Sequence, residues 1–133
     1  MGFSPVMTKK SPILRVLVVD DEFLIRWSIA ETLESAGHEV LQAENGRDAL
    51  RMLTDPTSSI DAVVLDYRLP DSNDLALLAT IRQLAPERPV ILMSAFGSRE
   101  LAQGARSLGA YDVLTKPFDL QHLHTLLRAA CSP

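Results

Sequence analysis

The chain has 133 residues, about one domain by the usual prior of roughly 100–200 residues per domain. Hydrophobic residues make up 47% and charged residues 23%, which suits a globule with a real core and excludes a wholly disordered chain. One cysteine, Cys131, excludes an internal disulfide and a cysteine-built zinc site, and a net charge of −4 argues against tight nonspecific nucleic-acid binding.

Residues 1–12 contain Gly2, Ser4, Pro5, Thr8, Ser11 and Pro12 and read as a flexible leader. Lys9 and Lys10 are not followed by an apolar signal region, and no apolar run nears the roughly 18 residues of a membrane span. The expectation is a cytoplasmic protein with one domain over 13–131 and a tail at 132–133.

From residue 15 the pattern is regular. Val16-Leu17-Val18-Val19 is a short apolar run, fit for a strand buried on both faces, and ends in Asp20-Asp21. Ile25, Ile29, Leu33 and Ala36 stand at helical spacing, with Gly37 as C-cap. Glu39 to Ala43 reads as a second strand, and Asn45 as the cap of a helix from Gly46 to Leu53. Ala62-Val63-Val64-Leu65 is a third strand, ending in Asp66. Leu75, Leu78 and Ile81 mark a helix. Val90-Ile91-Leu92-Met93 is a fourth strand, ending in Ser94. Ser98 begins a helix through Leu108, stopped by Gly109. Tyr111 to Thr115 is a fifth strand, ending before Lys116-Pro117, and Leu120 to Ala130 is the last helix. Five strands alternating with five helices predict an α/β fold with a single parallel, doubly wound sheet.

Asp20, Asp21, Asp66, Ser94 and Lys116 each follow an apolar strand. One Asp in such a place is ordinarily a cap or turn residue. Five at the carboxyl edge of one parallel sheet describe a ligand site, because that edge is where open α/β sheets bind ligands. Clustered carboxylates repel one another, and Mg²⁺ (or Mn²⁺), which favours hard oxygen ligands, relieves the repulsion. A carboxylate in such a site can act as a nucleophile toward phosphorus, with Ser94 and Lys116 contacting the phosphoryl oxygens.

The stretches Val-Leu-Val-Val-Asp20-Asp21-Glu22, Val-Val-Leu-Asp66-Tyr-Arg-Leu-Pro70-Asp71, Ile-Leu-Met-Ser94-Ala95 and Gly109-Ala110-Tyr-Asp-Val-Leu-Thr-Lys116-Pro117-Phe118 occur in this order. Together they resemble the receiver domain of bacterial two-component response regulators, over about residues 14–130. The resemblance implies a flavodoxin-like sheet of order 2-1-3-4-5. It implies that Asp66 is the phosphoacceptor, serving a sensor histidine kinase or phosphotransfer protein. It further implies that Asp21, Asp66 and the backbone carbonyl of Arg68 bind the metal directly, with Asp20 acting mainly through a water. Ser94 and Lys116 would engage the phosphoryl group, and the Lys116-Pro117 bond is expected to be cis. Self-phosphorylation, autodephosphorylation and a changed protein-interaction surface complete the expected switch. Its partner would be a downstream output domain or protein, with no direct nucleic acid or membrane contact. The resemblance leaves open a homodimer through the fourth helix, fifth strand and fifth helix.

Two positions depart from the family pattern. Val113 stands where an aromatic residue usually swings between two positions, and valine has no such lever. Asp74 stands where glycine is common, a place that suggests a left-handed backbone. Arg68 and Phe96 flank the expected entrance, Phe96 either as a shield against water or as plain surface packing. Trp27 reads as a half-buried packing residue or as a kinase contact. His38, His122 and His124 read as surface or helix residues, Cys131 as a bystander, and Glu22 as a cap of the first helix or an outer neighbour of the metal.

A receiver-like module that signals without phosphorylation is the alternative reading. An aspartate phosphatase of Asp-x-Asp type fits poorly because Arg68 occupies the second acid's place. No glycine-rich nucleotide motif occurs. Residues 93–97 and 109–112 are similar to receivers of regulators with ATPase and DNA-binding outputs. A stand-alone regulator and a receiver from a longer protein both stay open.

Overall fold

The computed structural model describes residues 12–132, so the leader expected over residues 1–12 lies, except for Pro12, outside the described residues. The elements are β1 (Arg15–Val19), α1 (Phe23–Ser35), β2 (Glu39–Ala43), α2 (Gly46–Thr54), β3 (Ala62–Asp66), α3 (Ala76–Leu84), β4 (Val90–Ser94), α4 (Arg99–Ser107), β5 (Asp112–Thr115) and α5 (Leu120–Ala130). The five strands form one parallel sheet of order β2-β1-β3-β4-β5. The expected order therefore holds. Small boundary shifts remain: β5 starts at Asp112 rather than Tyr111, and Ser98 and Leu108 cap α4 rather than belong to it.

Each central strand divides its side chains between two cores, because successive residues point to opposite faces. Leu17, Val19, Val63, Leu65, Val90 and Leu92 face α2, α3 and α4, where Ala49, Leu53, Leu78, Ile81 and Ala105 meet them. Val16, Val18, Val64, Ile91 and Met93 face α1 and α5, against Ile29, Leu33, Leu123 and Leu127. β3 and β4 are buried along their whole length. A fully buried Leu or Ile contributes roughly 1.5–3 kcal/mol by leaving water, so these runs hold the sheet.

Helix starts follow local chemistry. The Asn45 side chain accepts a hydrogen bond from the Asp48 amide at 2.8 Å, and Ser98 Oγ one from Leu101 at 3.0 Å, satisfying donors that a helix leaves open. Gly37 follows α1 with φ +95°, a conformation that favours glycine.

The edge where the strands begin is closed by specific pairs. Arg15 reaches the Ser58 carbonyl at 2.7 Å and Glu39 at 2.6 Å, and its own amide donates to Asp61 at 2.8 Å. His38, expected at the surface, is buried. Its Nδ1 accepts from the Leu14 amide at 3.0 Å, and its Nε2 lies 3.0 Å from Nε2 of His124 on α5. No helix among the described residues is long and apolar enough to cross a membrane.

Candidate functional site

The strand pairing builds the site. Val19 is in register with Leu65, so the next residues, Asp20 just after β1 and Asp66 at the end of β3, lie side by side. Met93 pairs with Asp66 and Ser94 with Thr115, which brings the ends of β4 and β5 to the same edge. The backbone continues the ladder there: Asp20 donates to Ala43, Tyr67 to Met93, and Lys116 to Ser94. The Lys116-Pro117 bond is cis, as expected.

One carboxylate oxygen from each of Asp20, Asp21 and Asp66 lies within 4.8 Å of the other two. Asp20 and Asp66 are buried, while Asp21 is exposed. Lys116 Nζ lies between the buried pair, 2.9 Å from Asp20 Oδ2 and 3.0 Å from Asp66 Oδ1. Glu22 is a further 3.6 Å neighbour of this ammonium. Glu22 precedes α1 but makes no side-chain capping bond, so its place is beside Lys116 rather than as a cap.

The charges act on one another. Burial pushes the Asp66 carboxyl up; the Lys116 hydrogen bond opposes this, Asp20 and Asp21 add to it, and the value reaches about 6. Burial pulls Lys116 down, but the hydrogen bonds to Asp20 and Asp66 outweigh it and leave its pKa above the usual value. The pocket thus sets the carboxyl groups of Asp20, Asp21 and Asp66, with Glu22 beside them, around one ammonium.

This donor set fits a hard divalent cation. Three carboxylate oxygens close together offer the ligand type that Mg²⁺ and Mn²⁺ favour. Asp20 also has a fixed orientation. Its Oδ1 accepts from the Glu22 amide at 2.8 Å, and its carbonyl accepts from Arg26 Nη1 at 2.7 Å. Buried Arg26 in turn donates to Gln42 at 3.0 Å. Arg26 had no signal in the sequence, because a single arginine on a helix ordinarily reads as solvated.

Ser94 is buried at the end of β4, but its hydroxyl is engaged with the following loop. It donates to the Phe96 carbonyl at 2.9 Å and accepts from the Phe96 amide at 3.1 Å. Phe96 itself is 69% exposed. Val113 is half-buried against the core that faces α4.

Arg68 and Asp74 lie in the β3–α3 loop. Ser59 is the one non-glycine residue with positive φ among the described residues, so Asp74 does not adopt the left-handed backbone suggested by its place. Instead, its carboxylate accepts from the amide of Ala76, the first residue of α3, at 2.8 Å. His122 and His124 lie on α5, away from the acidic edge.

Comparisons with known proteins agree on one family. The profile of the response regulator receiver domain matches residues 16–128. The DNA-binding transcriptional regulator NtrC of Escherichia coli is 39% identical over 117 residues, covering 88% of this chain and 24% of NtrC. The chain thus spans about a quarter of that relative's length. A response regulator receiver domain protein from Clostridium thermocellum superposes with TM-score 0.82 at 33% identity, covering 90% of this chain and 94% of the other. A response regulator from Burkholderia pseudomallei, solved with a phosphorylated aspartic acid and a calcium ion, superposes with TM-score 0.78 at 26% identity, covering 86% and 66%.

Proposed function

The chain belongs to the receiver domains of two-component response regulators, and from that membership we propose that Asp66 accepts a phosphoryl group from a phosphohistidine of a sensor kinase or phosphotransfer protein. The observation that carries this is the buried Asp66 carboxylate, bridged to Asp20 through Lys116 and raised to about 6. An Asp66 oxygen attacks phosphorus as the bond from phosphorus to the donor imidazole breaks, and the electron pair leaves with the imidazole. The product is an acyl phosphate, later hydrolysed by water. The phosphorylated aspartic acid of the Burkholderia relative supports the same chemistry here.

Asp21, Asp66 and the Arg68 carbonyl would hold Mg²⁺ or Mn²⁺, with Asp20 acting through a water. When bound, the cation neutralises charge on the phosphoryl oxygens. Lys116 turns from the carboxylates to an oxygen of the arriving group. Ser94 exchanges its Phe96 partners for a second oxygen. Catalysis is therefore positioning and charge stabilisation.

The kinase-docking face is assigned to α1. Phe23, Leu24 and Trp27 are exposed there, beside a groove of about 500 Å³ that includes Leu24, Ile25, Pro117 and Phe118 and reaches Lys116. A cytoplasmic setting suits a kinase partner. Output proceeds by a changed α4–β5–α5 face, toward an output domain, a partner protein or a second copy. Domain limits of 13–131 fit the matched span.

Intact mass after incubation with acetyl phosphate tests the assignment. One phosphoryl adduct that requires both Mg²⁺ and Asp66, and is lost in Asp66→Asn, is the expected result. An adduct retained by Asp66→Asn would move the acceptor elsewhere. No adduct, together with no binding of beryllofluoride and Mg²⁺, would favour a module that signals without phosphorylation.

A further inference from the structure

We propose that Asp71 is a positioning residue for the metal-binding loop: by clamping the β3–α3 loop to the first turn of α2, it fixes the Arg68 carbonyl and sets the pocket's affinity for its divalent cation. The proposal rests on the assignment of that pocket given above.

The loop between Asp66 and Ala76 carries Arg68. It turns back on itself between Leu69 and Ser72, whose backbones exchange hydrogen bonds of 2.8 and 3.2 Å. Asp71 stands in that turn. Its Oδ1 accepts from the Gly46 amide at 2.8 Å and its Oδ2 from the Arg47 amide at 3.0 Å. Asn45 already serves the Asp48 amide, so Asp71 takes the two first-turn donors that Asn45 leaves. The contact is close. A Cβ on Gly46 would lie 2.9 Å from Leu77 Cδ2 and 3.3 Å from Asp71 Oδ1. The Gly46 amide also holds the Asp71 carboxyl below the usual carboxylate range, in keeping with two charge-assisted bonds.

Asp74 provides an internal contrast. It is an acid in the same loop and also serves a helix start. Yet it bonds Ala76, two residues on, whereas Asp71 bonds residues 24 and 25 positions away. Losing Asp74 frays the start of α3. Losing Asp71 frees the turn three residues from Arg68, and only that loosens a ligand of the cation. Groups that orient metal ligands without touching the metal set affinity in this way.

Calorimetric titration of the metal-stripped full chain with Mg²⁺ tests this, alongside a thermal melt of each variant. Asp71→Ala is expected to weaken Mg²⁺ binding by roughly tenfold. Asp71→Asn keeps one oxygen acceptor and the side-chain volume, and should weaken it less. Asp74→Ala should lower the melting temperature and leave the affinity at the wild-type value. The proposal is overturned if Asp71→Ala and Asp71→Asn keep wild-type affinity, or if Asp74→Ala weakens it equally. A separate failure is distinguishable: wild-type binding unaffected by Asp21→Asn would overturn the pocket assignment itself.

Discussion

At the edge where the strands begin, Arg15 ties Ser58, Asp61 and Glu39 together, and His38 sits between the Leu14 amide and His124. At the edge where they end, Asp20, Asp21 and Asp66 are gathered around one lysine. The first edge gives each polar group a partner of its own. The second brings like charges together and leaves them only part-compensated. The same sheet supports both, and the difference shows where function places its demand: the beginning edge stabilises the fold, and the ending edge is held in a strained electrostatic state by it.

The largest expected effect comes from Lys116→Met, which leaves buried Asp20 and Asp66 without their cation. It should cost about 3 kcal/mol in denaturant unfolding of metal-free protein, against at most about 1 kcal/mol for Arg15→Met at the other edge. Equal losses would break the comparison.

Next comes the pH dependence of the metal-free protein. Asp66 has a folded pKa near 6, above the ordinary carboxylate value, so between about 4 and 6 the folded state binds more protons. Its contribution to stability is present at low pH and is lost as pH rises through 6. At roughly 1.4 kcal/mol per pK unit, this amounts to at most about 2–3 kcal/mol. Asp66→Asn should abolish that slope and raise stability at neutral pH.

The other edge slopes the opposite way. Burial first, then His124 and Arg128, hold His38 below its ordinary pKa. The unfolded chain takes up a proton that the folded chain refuses, so stability should fall as pH drops below about 6.5. The geometry gives the reason. The Leu14 amide requires a bare Nδ1 on His38, so the His38 proton is on Nε2 and His124 accepts it; an added proton breaks one of the two bonds. His38→Gln should remove this slope and leave that of Asp66, as read from paired thermal melts across pH.

The smallest effect is Gly46→Ala, whose Cβ meets the flexible end of Leu77. A loss of about 1 kcal/mol is expected. A gain in melting temperature would mean that α2 and the β3–α3 loop approach less closely than described.

Most of the sheet was readable in the chain because its strands are short apolar runs with polar ends. Val16 to Val19 and Val90 to Met93 announce both their burial and the point where they stop, and so place Asp20 and Ser94. The cap at Asn45 was equally local, and Ser98, read as the first residue of a helix, is its cap. What escaped depends on distant partners. His38 reads as a surface or helix residue until β1 and α5 surround it. Arg26 reads as solvated until Asp20 and Gln42 come within reach. Asp71 follows Pro70 like any turn acid, and only the fold brings α2 to it. Asp74 misled in the other direction, since a position that suggests glycine holds an acid bonded to the first amide of α3.

The pairing of Val19 with Leu65 has one more consequence. Asp66 ends β3 and Asp20 directly follows β1, two adjacent inner strands of the sheet. Amides of such central ladders exchange with deuterium only through global opening, while edges and loops exchange through local excursions. Local openings of edges and loops are therefore expected to leave the two carboxylates together, so that a cation or a proton, rather than local motion, relieves their repulsion in the folded chain.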